Sequence, residues 1–74
     1  MIAKTATQLK EEMEAKLRRD SRTRDLPIEI FEHNGIFIMQ GGVPSETISK
    51  LVEDLVRSVD GVTGVLNELY VKAR

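Results

Sequence analysis

The chain contains no cysteine, which removes disulfide staples and thiolate metal sites at the outset. Aromatic residues are scarce, two phenylalanines and one tyrosine, and there is a single histidine. The longest apolar run, Ile36-Phe37-Ile38-Met39, is far shorter than a bilayer span. Met1-Ile2-Ala3-Lys4 leads toward a charged segment rather than the apolar centre of a secretory signal. A cytoplasmic location is expected if Met1 is the natural start, and a periplasmic or envelope location if the domain is cut from an exported parent. What remains is the make-up of a folded domain, because a hydrophobic content of 41% is too high for a disordered chain. The 74 residues allow one domain, residues 1–74, near the lower size limit for an unstapled core.

The net charge of −1 conceals an asymmetry. Residues 1–24 hold seven Lys and Arg against four Asp and Glu, whereas residues 25–74 hold four against eight. Lys16, Arg18, Arg19, Arg22 and Arg24 crowd together, interrupted by Asp20. A small domain with a basic end and an acidic body can orient on an anionic surface or on a second copy of itself.

Hydrophobic spacing predicts a first helix over residues 5–19, with Ala6, Leu9, Met13 and Leu17 on one face. Thr5 or Thr7 is suited to cap it, and Glu12–Lys16 and Glu14–Arg18 have the spacing of favourable ion pairs. Asp20 to Asp25 reads as a polar connection, and Pro27 precedes the first strand, Ile28 to His33. Asn34-Gly35 is a strong hairpin signal, because a type I′ turn needs positive φ at both central residues. It leads into a second strand, Ile36 to Gly41. From Ser45, the expected N-cap, with Glu46 in the first turn, the period changes to helical. Ile48, Leu51, Val52, Leu55, Val56 and Val59 then form an unbroken apolar stripe. Gly61 has the position of a left-handed residue closing that helix. A last strand is predicted from about Val65 to Lys72, with Val65, Asn67, Leu69 and Val71 on one side and Leu66, Glu68 and Tyr70 on the other. A helical connection favours a parallel partner. The expected architecture is α+β, an α-β-β-α-β sandwich with a mixed three-stranded sheet. There are no internal repeats or low-complexity tracts.

Two spaced segments resemble the signatures of the BON domain family. Gly35-Ile36-Phe37-Ile38-Met39-Gln40-Gly41-Gly42-Val43-Pro44-Ser45 is similar to its hairpin-to-helix segment. Val59-Asp60-Gly61-Val62, followed by Val65, Asn67, Leu69 and Val71, is similar to its closing segment, and Leu17 and Asp20 sit where the family ends its first helix. The resemblance spans residues 6–72. It implies both helices on one face of the sheet and a non-enzymatic module that binds phospholipid or other membrane-associated partners, common among osmotic-stress and envelope proteins. The chain departs from the family at Ile36 and Ile38, where relatives usually carry polar residues.

That departure directs attention to the outer sheet face. If odd-numbered positions of the second and third strands face the helices, the other side collects Phe31, Ile36, Ile38, Leu66 and Tyr70, with His33 beside them. Such a patch is of the size that marks a partner. A homodimer joined sheet face to sheet face is the expected assembly; cover by the first helix or the N-terminal residues is the competing expectation.

The basic cluster Lys16, Arg18, Arg19, Arg22 and Arg24 is a second candidate site, for anionic phospholipid. At ~1 kcal/mol per basic residue near such a surface, less the repulsion from Asp20 and Asp25, it supplies only ~3–4 kcal/mol. That is roughly millimolar affinity for one copy, so membrane binding would need avidity. A solvated helix end whose cations complement the dipole is the plainer reading. Gly41-Gly42 ahead of a helix has the outline of a phosphate cradle, but Pro44 removes a donor and a tight turn explains both glycines. His33 beside Glu32 is too little for a metal. Glu53 and Asp54 read as the wet side of the second helix. No serine is paired by motif with a base, so no catalytic residue or cofactor is assigned. Phe31 and Tyr70 on an open sheet are placed to stack bases, but the strand-bearing half is acidic, which disfavours nucleic acid as a partner.

Overall fold

A computed structural model describes residues 4–72. The elements run α1 (Ala6–Arg19), β1 (Glu29–His33), β2 (Ile36–Val43), α2 (Glu46–Arg57) and β3 (Gly64–Val71). Together they form the expected α+β fold, with two helices on one face of a mixed three-stranded sheet.

α1 starts where its orphan amides are best satisfied. Gln8 N donates to Thr5 Oγ1 (3.1 Å) and Thr5 N donates to Gln8 Oε1 (2.8 Å), a reciprocal capping box. Leu9, Met13 and Leu17 are buried, whereas Ala6, expected on the same face, is exposed in the first turn. Neither Glu12–Lys16 nor Glu14–Arg18 forms an ion pair; Glu12 instead receives Lys4 Nζ at 3.0 Å. Lys4 also donates to the Asp60 carbonyl (3.3 Å), so its ammonium bridges α1 and the turn after α2.

The connection from Asp20 to Asp25 is less polar in structure than in sequence. Thr23 is almost fully buried, and its Oγ1 donates to the Leu17 carbonyl at 2.6 Å. It thereby satisfies one of the carbonyls that a helix C-terminus leaves without partners. The Asp20 carbonyl accepts from both Thr23 N and Arg24 N, at 3.0 and 2.9 Å.

β1 and β2 pair antiparallel, from Glu29 opposite Gln40 to His33 opposite Ile36. Asn34 and Gly35 have φ of 50° and 84°, as the turn signal requires. β2 extends to Val43, two residues beyond the expected end, because it pairs in parallel with β3 over its whole length. The sheet order is β1-β2-β3, which makes β2 the central strand.

α2 begins as expected, with Ser45 Oγ accepting from Ile48 N (3.2 Å) and Glu46 in the first turn. It ends earlier than the apolar stripe suggests. Ser58 donates through both its backbone N and its hydroxyl to the Leu55 carbonyl, at 3.3 and 2.7 Å, which closes the helix at Arg57. Val59 therefore lies beyond the helix, yet it is buried. Gly61 is left-handed (φ 100°), but it reverses the chain three residues past the Ser58 cap rather than terminating the helix itself.

One core results. Leu9, Met13 and Leu17 from α1 meet Val52 and Val56 from α2, and Ile30, Phe37 and Met39 fill the space above the sheet. Phe37 and Met39 beneath the helices place the odd-numbered residues of β2 inward, as expected. α1 belongs to this same cluster, so it does not cover the outer face; the first three residues, the other expected cover, lie outside the described residues. Val71, expected inward, is 44% exposed. A twelve-residue α2 covers about 18 Å, whereas an eight-residue β3 covers about 26 Å, so the helix cannot roof both ends of the strand.

Gly41 is where two chain segments pass closest. Its φ is +140°, and a Cβ there would run into the Pro27 carbonyl oxygen. Gly41→Ala is expected to lose about 1–3 kcal/mol or more through combined backbone strain and steric conflict, seen as a lower urea midpoint at unchanged slope. Gly35→Ala, strained at its turn dihedral but facing open space, should lose less.

Candidate functional site

The outer sheet face is built by the strand registers. Phe31, Ile38 and Leu66 lie opposite one another, one from each strand, and form an apolar row across the sheet. Phe31 is 45% exposed and Leu66 47%, while Ile38 between them is half-buried by its two neighbours. One step toward the hairpin lies the row His33, Ile36, Gly64. Ile36 leans over the glycine: its Cδ1 is 3.2 Å from where a Gly64 Cβ would stand.

One step in the other direction lies a polar row of Glu29, Gln40 and Glu68, in which Gln40 Nε2 donates to Glu68 Oε1 at 2.9 Å. Tyr70 lies beyond it with its ring over Gly42, where a Cβ would come within 3.2 Å of the ring atoms. The expected five-residue patch is therefore divided. Phe31, Ile36, Ile38 and Leu66 are contiguous, and Tyr70 is set apart by the Gln40–Glu68 pair.

Both glycines proposed as a phosphate cradle are absorbed by packing within β2 rather than by a turn. Gly41 lies against Pro27 and Gly42 beneath Tyr70. At the hairpin tip, Glu32 Oε2 accepts from Gly35 N (2.7 Å), and His33 Nε2 lies 3.3 Å from the Asn34 amide nitrogen. Among the described residues, no three His, Asp or Glu side chains converge in a way that could hold a metal ion.

Two members of the basic cluster stand against carboxylates. Arg22 is held by Asp20 in a two-pronged pair, Nε to Oδ1 at 3.0 Å and Nη2 to Oδ2 at 2.8 Å, and Arg24 Nε is 3.7 Å from Asp25. Arg18 and Arg24 line an open cleft of about 210 Å³ with Glu14, Thr23 and Leu26. Lys16, Arg18 and Arg19 have no ion-pair partner among the described residues. Among those residues, too, no helix is long and apolar enough to cross a membrane.

Sequence reading assigned no role to a polar network between α2 and β3. Asn67 Nδ2 donates to Ser49 Oγ and to Glu53 Oε1, both at 3.1 Å, and Asn67 Oδ1 accepts from Leu69 N at 2.9 Å. Arg57 donates to Glu53 Oε2 (2.8 Å) and to the Val65 carbonyl (3.3 Å). Glu53, expected on the wet side with Asp54, thus turns toward β3, and the hydrogen bonds from Arg57 and then Asn67 hold its carboxyl below its ordinary range. The one signal available was an asparagine at an inward strand position, which demands partners. The network borders a cleft of about 480 Å³ lined by Glu46, Ser49, Lys50, Glu53, Asn67, Leu69 and Val71.

Compared with known proteins, the chain matches no family model and no curated sequence.

The Asp20–Arg22 pair is open to direct test. Hydrogen bonds from the Arg22 side chain and backbone N–H lower the Asp20 carboxyl to about 2. An unfolded Asp titrates near ~3.9, so the pair's stabilisation is complete above that value and disappears as pH falls through about 2. A carboxyl-detected NMR titration should place the Asp20 midpoint near 2, and Arg22→Ala should move it back toward the ordinary range.

Proposed function

We propose that this domain is a non-enzymatic interaction module, as its resemblance to the BON family implies, and that its working surface is the bare outer face of the sheet. The observation that carries this reading is the apolar row Phe31–Ile38–Leu66, joined by Ile36 and left open by both helices. An interaction site needs a central apolar cluster with a polar rim. Glu29, Gln40 and Glu68 supply one side of such a rim, and His33 part of the other.

A second reading, attachment to anionic phospholipid, is favoured by Lys16, Arg18 and Arg19, which have no ion-pair partner among the described residues. Arg22 and Arg24 contribute less than their charges suggest, because Asp20 and Asp25 stand against them. Three cations at ~1 kcal/mol each give only ~3 kcal/mol near an anionic surface, weaker than millimolar for one copy. Membrane attachment on this basis requires several copies acting together.

A charge introduced at Ile38 and a charge reversal at Arg18 and Arg19 separate the readings. Affinity capture from the protein's own source, with partners identified and confirmed reciprocally, should lose its specific partners with Ile38→Glu and keep them with Arg18→Glu/Arg19→Glu. Co-sedimentation with vesicles rich in anionic phospholipid at low salt should show the opposite dependence if the lipid reading holds. An unchanged partner set with Ile38→Glu would remove the sheet face as the working surface.

A further inference from the structure

Resting on the sheet-face reading, we infer that the occupant of this face is a second copy of the same chain, stacked with its strands antiparallel to the first. Three observations lead there. The first is that the neighbouring sheet edge is partly closed. Arg57 occupies the Val65 carbonyl and the Asn67 side chain occupies Leu69 N–H, so β3 has lost backbone groups that strand addition would use. Strand addition at β3 is thereby disfavoured.

The second is that the face is complementary to itself in one orientation. A two-fold axis between stacked sheets can run along the strands or across them. Along the strands, the polar row of one copy meets the polar row of the other, and Glu29 stands over Glu68 of the second copy. Like charges directly opposed are unfavourable. Across the strands and through the apolar row, Phe31 meets Phe31, Ile38 meets Ile38 and Leu66 meets Leu66. The polar row then lies over the row of His33, Ile36 and Gly64. Glu29 gains the imidazole of His33 as a donor, while the hydrogen-bonded Gln40–Glu68 pair lies over Ile36, whose side chain covers Gly64, with no carboxylate opposite it. This is the isologous pattern that a two-fold interface requires.

The third is the size of the face. Two strands of eight residues and one of five, set about 4.8 Å apart, cover roughly 330 Å² per copy. Doubled, that falls short of the ~1,200 Å² at which stable interfaces begin. The dimer is therefore weak and reversible, forming between micromolar and millimolar concentration.

Sedimentation velocity across that range should show a monomer–dimer equilibrium, weakened roughly tenfold or more by Ile38→Glu. Leu66→Glu, at a position already 47% exposed, serves if the Ile38 variant fails to fold. Because the chain has no cysteine, single substitutions report the orientation. Phe31→Cys and Leu66→Cys should each form disulfide-linked homodimers on mild oxidation, whereas a mixture yielding mainly Phe31–Leu66 heterodimers would overturn the antiparallel arrangement. Wild-type chain that stays monomeric at millimolar concentration would overturn the dimer. If Ile38→Glu still loses its captured partners in that case, the interaction face stands and its occupant is another protein. If Ile38→Glu changes neither self-association nor capture, the sheet-face reading fails with it.

Discussion

Side-chain alternation along β2 governs this molecule. As the central strand, β2 is hydrogen-bonded on both sides, so its pleat decides which residues of β1 and β3 point up or down. Phe37, Met39 and Val43 point to the helical layer and are essentially inaccessible, while Ile36 and Ile38 point away. Burying side chains of this size contributes ~1.5–3 kcal/mol each. A slip of one residue would exchange the two sets. Two local features hold the register: the two-residue turn at Asn34-Gly35, and the close passage of Pro27 against the bare Cα of Gly41.

Around that strand, polar groups are matched to the interior with economy. The chain leaves no buried side-chain nitrogen or oxygen without a partner among its described residues. Thr23 reaches the Leu17 carbonyl at the end of α1, and Asn67 divides its amide among Ser49, Glu53 and the backbone of Leu69. The second network ties α2 to β3 while shielding part of the sheet's edge. A polar residue under a helix is costly when unpartnered, so the network must form with the fold or not at all. The same network occupies part of the β3 edge, where strand pairing would otherwise be invited.

Element types were legible because each has a short-range cause. Thr5 with Gln8, Asn34-Gly35 and Ser45 all act within three residues, and the stripe from Ile48 to Val56 has an unmistakable helical period. Boundaries were less legible where distant partners decide them. β2 runs on to Val43 because β3 lies beside it, whereas α2 stops at Arg57 for a local reason that the glycine signal overshadowed, Ser58 meeting the Leu55 carbonyl before Gly61 is reached. The basic cluster shows the same limit in electrostatics. Of five cations adjacent in sequence, Arg22 is taken up by Asp20, Arg24 stands near Asp25 and shares a cleft with Arg18, and Lys16 and Arg19 have no ion-pair partner among the described residues.

The amino-acid order alone determined which face of the sheet is apolar on the outside, since a strand's period of two needs no tertiary information to sort its residues. Only the folded chain decided that Tyr70 stands apart from Phe31, Ile38 and Leu66, because cross-strand neighbours are set by a parallel register between segments far apart in sequence. It likewise decided that Thr23 is an interior residue and that Asn67 is half-buried against α2. Their hydroxyl and amide groups tolerate burial only when particular carbonyls, hydroxyls and carboxylates arrive from elsewhere in the fold.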